Sequence, residues 1–271
     1  MIPIAVASTS CVGAREHNED CIATARAADA LCCVLADGAG GHGGGAIASR
    51  VAVDQILEGF RARPPSDAVD LGELILDAHE AILRRQREER GPASRMHATI
   101  VVLVIDETRA GAIWGHVGDS RLYLLSGGAV QAVTHDDSIV QWMIDAGHLE
   151  PEAARSHPHK NQLFAALGMS DAVQPQTSGS EVALREGDAL LICSDGWWEH
   201  VSEGDILDSM VAARSVDDWL ERMAAVIVER NAPQQDNYSA IAVWVGDPNR
   251  TMYVAPDPGP PDGPSDLAPD V

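Results

Sequence analysis

The sequence predicts an α+β fold: a four-layer α-β-β-α sandwich of two mostly antiparallel sheets flanked by helices. Three observations predict it. Continuous apolar runs such as "ATIVVLVID" (98–106) mark strands buried on both faces. Connections such as "ETRA" are too short to carry a crossover helix, so neighbouring strands must be antiparallel. Segments with helical apolar spacing flank the strand groups and can cover the outer faces of the two sheets.

Along the chain, "CIATA" follows Glu19 and Asp20, and "ALCCVLAD" (30–37) reads as a buried strand ending at Asp37. A glycine-rich stretch comes next, and then Val53, Ile56, Leu57 and Phe60 recur at helical spacing. Leu71, Leu74, Ile75, Ala78 and Ile82 define a second helix, with "RRQREER" as its solvated end. The period then changes. The run 98–106, "GAIWGHV", "RLYLL", a Ser-Gly-Gly turn at 126–128 and "AVQAV" make an antiparallel series. Helices at 138–147 and 216–230 can supply further cover, and "DALLICSD" (188–195) and "YSAIAVWV" (238–245) complete the sheets. One folded domain is expected over 1–246. Residues 247–271 are rich in Pro, Gly and Asp and read as a disordered tail.

The charge balance narrows function. Among 271 residues, 41 are acidic and 19 basic, for a formal charge of −22. This disfavours nonspecific binding to nucleic acid or to anionic membranes and makes cations natural ligands. The five cysteines form no C-x-x-C pair and lie within or beside apolar stretches, as reduced core thiols do. "MIPIAVASTS" does not have the pattern of a signal peptide, and no apolar run approaches the ~20 residues of a membrane span. A cytoplasmic protein is expected.

Aspartates recur at strand ends. Asp37 and Asp195 each close an apolar run and precede a glycine; Asp119 lies between "GAIWGHV" and "RLYLL"; Asp236 precedes the last strand; Glu19 and Asp20 abut "CIATA". Singly, each reads as a turn residue or a cap. If the strand ends converge, four or five carboxylates share one cleft, where repulsion and desolvation are severe without cations. An all-oxygen donor set selects hard ions, Mg²⁺ or Mn²⁺, and two ions bridged by one aspartate suit hydrolysis. The glycines after Asp37 would let backbone approach the ions. A phosphate-binding loop fits less well: no Gly-Lys-Ser/Thr follows, and the only lysine is Lys160. Arg15, five residues before Asp20, can reach the same cleft and hold a phosphate through its planar guanidinium. His157 and His159 in "SHPHK" have no third partner nearby in sequence and read as a loop.

The stretches "GAREHNED", "VLADGAGGHGGG", "HATIVVLV", "WGHVGDSRLYLL", "LLICSDGWWEHV" and "QDNYSAIAVWV" follow one another over 13–245. In them the sequence resembles the metal-dependent protein serine/threonine phosphatases, the protein phosphatase 2C-like group, in its compact bacterial form. The resemblance implies that Asp37 bridges two Mn²⁺ or Mg²⁺ ions, with the Gly38 carbonyl on one and Asp195 and Asp236 on the other. Asp20 would bind directly or through water, with Glu19 in support. Asp119 would hold a third, weaker ion shared with Asp195. Arg15 would bind the phosphate, and Asn237 would orient groups near Asp236. The implied reaction is hydrolysis of phosphoserine or phosphothreonine on partner proteins by a metal-bridging hydroxide. A monomer countering a bacterial serine/threonine kinase is expected. Two alternatives stay open: a phosphoprotein-binding pseudophosphatase and a phosphatase of anti-sigma antagonists. Residues 143–168 correspond to the family's flap, which would contact the phosphoprotein. The sequence departs from the family pattern at Ala39, at His97-Ala98-Thr99, at Asp136-Asp137 in place of Asp-His, and at Tyr238-Ser239. None of these removes an expected ligand. His42 lies too far from the Asp-Gly pair to be assigned as the general acid.

Overall fold

The computed structural model describes residues 2–40, 43–154, 157–169 and 172–247. His42 and the predicted tail beyond Asp247 lie outside the described residues. In chain order the elements are β1 (Ile4–Cys11), β2 (Asp20–Ala27), β3 (Ala30–Ala39), α1 (Gly44–Ala62), α2 (Ala68–Glu88), β4 (His97–Ala98), β5 (Ile100–Asp106), β6 (Gly111–Val117), β7 (Arg121–Ser126), β8 (Ala129–Ala132), α3 (Ile139–Asp145), α4 (Pro151–Ala154), β9 (Gln176–Thr177), β10 (Val182–Ala183), β11 (Ala189–Cys193), α5 (Asp195–Trp198), α6 (Glu203–Ala212), α7 (Val216–Arg230) and β12 (Tyr238–Val245).

Among the described residues the strands form two sheets. One has the order β1-β12-β11-β7-β8; the other runs β10-β6-β5-β3-β2, with β4 beside β3 and β9 beside β6. The pairings are antiparallel, as the short connections require.

The apolar runs sort their side chains by the two-residue period of a strand. In β5, Val101, Leu103 and Ile105 point between the sheets, while Ile100, Val102 and Val104 meet α1 and α2. Cys33 and Leu35 of β3 face inward between the sheets, and Cys32 and Val34 face the helices. In β12, Ile241, Val243 and Val245 join the central layer, and Ala240, Ala242 and Trp244 meet the opposite helical layer. Double burial of each strand therefore produces the continuous apolar runs. All five cysteines are free thiols; Cys11 alone is half-buried and the others are buried.

Four details differ from the sequence reading. The segment at 138–147 does not cover a sheet: α3 buries only Val140 and packs beside α4. Its place is taken by α6, whose Ile206 and Met210 pack with Trp219 and Met223 of α7 against the β11–β12 face. The edge strand β1 also went unread. The "RRQREER" end is not merely solvated: the Gln86 amide donates to the carbonyls of Met96 (2.7 Å) and Gly168 (2.6 Å).

Candidate active site

One end of the sandwich collects the β1–β2 loop, the end of β3, the β6–β7 turn, the start of α5 and the residues before β12. They enclose a cleft of about 830 Å³ lined by Arg15, Glu19, Asp37, Gly38, Asp119, Asp195, Asp236 and Asn237. Asp20 lies beneath it, paired in register with Asp37 across β2 and β3. Every site residue expected from the sequence is thus brought to one place. Two local descriptions change. Asp37 lies inside β3, which continues to Ala39, and Asp195 opens the helical turn α5 after β11 has ended at Cys193.

Hydrogen bonds from neighbouring strands and loops hold several of these residues. The Asp37 N–H donates to Thr99 Oγ1 (3.0 Å), and the Thr99 N–H donates to the Asp37 carbonyl (2.8 Å). Gly38 explains part of the glycine string. A Cβ there would lie 2.1 Å from the Gly45 carbonyl oxygen and 2.7 Å from that of Glu19, so only glycine lets the first turn of α1 close on β3. Ser194 ties the sheets together: its hydroxyl donates to Asp20 Oδ2 (2.9 Å) and accepts from the Ser239 N–H (3.0 Å). Asn237 accepts from the Glu19 N–H (2.8 Å) and donates to the carbonyls of Val12 (2.8 Å) and His17 (3.0 Å). It therefore holds the loop that carries Arg15. The Arg15 guanidinium lies 2.6 Å from Asp236 Oδ2, with the arginine side chain 57% exposed.

The Asp119 turn depends on residues that sequence reading missed. Asp137 Oδ2 accepts from the Gly118 N–H (2.9 Å), and Asp137 Oδ1 accepts from Gln176 Nε2 (2.7 Å). Trp198 Nε1 donates to the Asp119 carbonyl (2.9 Å). The only hint in the sequence was the unusual Asp136-Asp137 pair.

Electrostatically the cleft is overloaded with negative charge. Burial, then the charges of Asp195, Asp20 and Asp119, hold the Asp37 carboxyl well above the ordinary carboxylate range. Burial and Asp195 do the same to Asp119. Burial pushes Asp195 up to about 7, with Asp236 adding to it, and Asp20 up to about 6. Burial also raises Glu19. Asp20 Oδ1 is shut away from solvent and finds no hydrogen-bond donor.

Such a set has too many acceptors and too few donors, a mismatch that a hard cation resolves. Among the described residues, no three His, Cys, Asp or Glu side chains already close on one point as a cage. Ions of the Mg²⁺ type need no such cage, since they bind through one or two carboxylates and keep several waters. The unpartnered Asp20 oxygen and the all-oxygen set of carboxylates with the Gly38 carbonyl fit them. His157 and His159 remain a loop pair, with the His159 N–H donating to His157 Nδ1 (3.2 Å).

A family model described as protein phosphatase 2C matches residues 8–247. The chain belongs to the protein phosphatase 2C family. It is 33% identical over 214 residues to the protein phosphatase PhpP of Streptococcus pneumoniae, covering 78% of this chain and 84% of PhpP. It is 33% identical over 196 residues to the serine/threonine protein phosphatase PstP of Mycobacterium tuberculosis, covering 72% of this chain. The match spans only 36% of the length of PstP. The fold superposes with a TM-score of 0.79 on the crystal structure of the M. tuberculosis phosphatase PstP/Ppp, at 27% identity over 91% of this chain and all of that one. The catalytic domain of PstP has also been solved in complex with two manganese ions; it superposes with a TM-score of 0.78 at 27% identity, over 91% of this chain and all of that one.

Proposed function

We propose that this family member is a metal-dependent serine/threonine protein phosphatase. The observation that carries the reading is the gathering of Asp20, Asp37, Asp119 and Asp195 into one cleft beneath Arg15. Asp37, Asp195 and Asp236, with Asp20 and the Gly38 carbonyl, are the residues that would hold two Mn²⁺ or Mg²⁺ ions, and Asp119 would contribute to a third. When bound, the ions supply an activated water and Lewis-acid stabilisation of the phosphoryl oxygens. Arg15 binds the phosphate. Its exposed guanidinium can leave Asp236 for a dianionic ester, two of whose terminal oxygens can accept its two parallel N–H bonds. Asn237 orients the Arg15 loop, and Thr99 fixes the main chain on which Asp37 is carried. The sandwich over 1–246 acts as one catalytic domain, and 247–271 as a tail.

Its substrates are phosphorylated proteins, with a serine/threonine kinase or its targets as partners and a monomer as the acting form. The names of the relatives support the first of these. Among the described residues no helix is long and apolar enough to cross a membrane. The free thiols support a reducing, cytoplasmic setting.

The test is turnover of p-nitrophenyl phosphate by the full chain with Mn²⁺, beside Asp37→Asn. Turnover in the wild type with loss of at least ~10²-fold in the variant is expected, the scale of losing a group that acts at the reacting centre. Phosphopeptide binding without turnover in the wild type would make the protein a pseudophosphatase instead.

A further inference from the structure

A second cavity, about 360 Å³ in volume, opens beside the catalytic cleft, between the flap helices and Trp198. Asp119 lines both spaces, so the two adjoin at that residue. Val140 and Ile144 of α3, Pro151 and Ala154 of α4, and the Trp198 indole supply its apolar walls.

Most of the polar groups around it are already engaged. The Arg121 guanidinium is forked onto Asp136 (3.0 and 2.7 Å) and stacked 3.7 Å over the Trp198 ring. Lys160 Nζ lies 2.5 Å from Glu199 Oε1. Ser138 Oγ caps α3 by accepting from the Gln141 N–H, and the Gln141 amide donates to Asp145. A ligand entering here meets apolar walls interleaved with these paired charges, and Asp119 on the side that faces the cleft. The segments on either side of α4 carry two large apolar side chains exposed to solvent, Trp142 at 57% and Phe164 at 53%. Phe164 follows Leu163, which lines the catalytic cleft.

We propose that this cavity is a specificity subsite that seats a large aliphatic or aromatic side chain of the substrate, close in sequence to the phosphorylated residue. The inference rests on the phosphoprotein phosphatase reading. It adds a residue class to the substrate: leucine-, methionine- or phenylalanine-like at one flanking position. The volume admits a side chain of that size, and the adjacency of the two spaces at Asp119 puts both within reach of one extended peptide. Burying such a side chain is worth roughly tenfold in affinity or in kcat/KM.

The experiment uses short synthetic phosphothreonine peptides with alanine at every flanking position, and a set in which one flanking alanine at a time becomes leucine or phenylalanine. Anisotropy of the labelled peptides with the Mn²⁺-loaded full chain reads binding, kcat/KM reads turnover, and p-nitrophenyl phosphate reads the phosphatase chemistry alone. One flanking position should gain about tenfold from leucine or phenylalanine. Ala154→Trp, which fills the cavity, and Ile144→Glu, which makes its wall polar, should each erase that gain and leave p-nitrophenyl phosphate turnover unchanged. Both residues lie at the flap surface and outside the catalytic cleft. The subsite is refuted if no position discriminates by more than about twofold, or if the gain survives both substitutions. A protein that binds the peptides with the expected preference and turns over nothing would overturn the phosphatase reading and keep the subsite.

Discussion

Asp137 is only 5% exposed, and its carboxylate is the sole side-chain link between the Asp119 turn and β9 seen among the described contacts. Asp137→Ala removes the acceptor of the Gly118 N–H, a buried donor that nothing else is placed to satisfy. Such an orphan costs about 1–3 kcal/mol. The Gln176 bond adds about 1 kcal/mol more. Against this stands the desolvation of the carboxylate itself, which burial shows in a raised pKa and which the variant relieves. A net loss of about 2 kcal/mol follows, and in a domain of this size that lowers Tm by about 4–8 °C. Asp137→Asn keeps one oxygen for two donors and should lose about half as much. The assay is thermal unfolding by circular dichroism of the wild type and both variants, with and without Mn²⁺. If both variants melt within about 1 °C of the wild type, the carboxylate does not hold the turn, and the account of how Asp119 is positioned fails.

Other perturbations test other parts of the site. Gly38→Ala drives a methyl into the Gly45 and Glu19 carbonyls, and overpacking against backbone costs about 1–3 kcal/mol or more; a urea midpoint equal to that of the wild type would contradict the close approach of α1 to β3. Arg15→Ala should raise KM for phosphorylated substrates while changing stability by less than about 1 kcal/mol, because the pair with Asp236 is largely solvent-exposed; an unchanged KM would move phosphate binding elsewhere. His79 accepts the Gly168 N–H at Nδ1 (3.1 Å), and burial holds its pKa below the ordinary 6.5. The unfolded chain therefore takes up more protons as pH falls below 6.5, and stability is lost on the acid side. In His79→Gln that contribution is absent, so the wild-type advantage in urea should shrink between pH 7.5 and pH 5.5; an equal offset at both pH values would refute it.

Much of the architecture could be read because double burial leaves its mark on both faces of a strand. The runs at 98–106 and 238–245 admit no solvated side, and the short connections after the first of them leave no alternative to antiparallel pairing. Elements with one weak face were harder. In β1, "IAVASTSC" is built of small residues without polar alternation and lies at a sheet edge, and α6 spans only Glu203–Ala212, too short to show its period clearly. The flap segment α3 has an apolar period but packs on α4 rather than on a sheet. The aspartates were legible because a carboxylate at the edge of a buried run needs a reason. Their supports were not: Ser194 reaches Asp20 across 174 positions, and Asp137 reaches Gly118 and Gln176 across 19 and 39. Hydrogen bonds of that span leave no local pattern, since either partner alone looks like an ordinary loop residue.

The placement of the thiols has a practical side. Four of the five cysteines are sealed in the apolar layers, and burial raises the pKa of Cys21, Cys32, Cys33 and Cys193 alike, which suppresses the reactive thiolate. Cys11 stands apart at the end of the edge strand, opposite Tyr238, which itself lies two residues after Asp236. A maleimide fluorophore would thus find one address on the unmodified polypeptide, at the end of the strand that leads into the Arg15 loop, where movement of that loop can be followed by light without engineering a single residue.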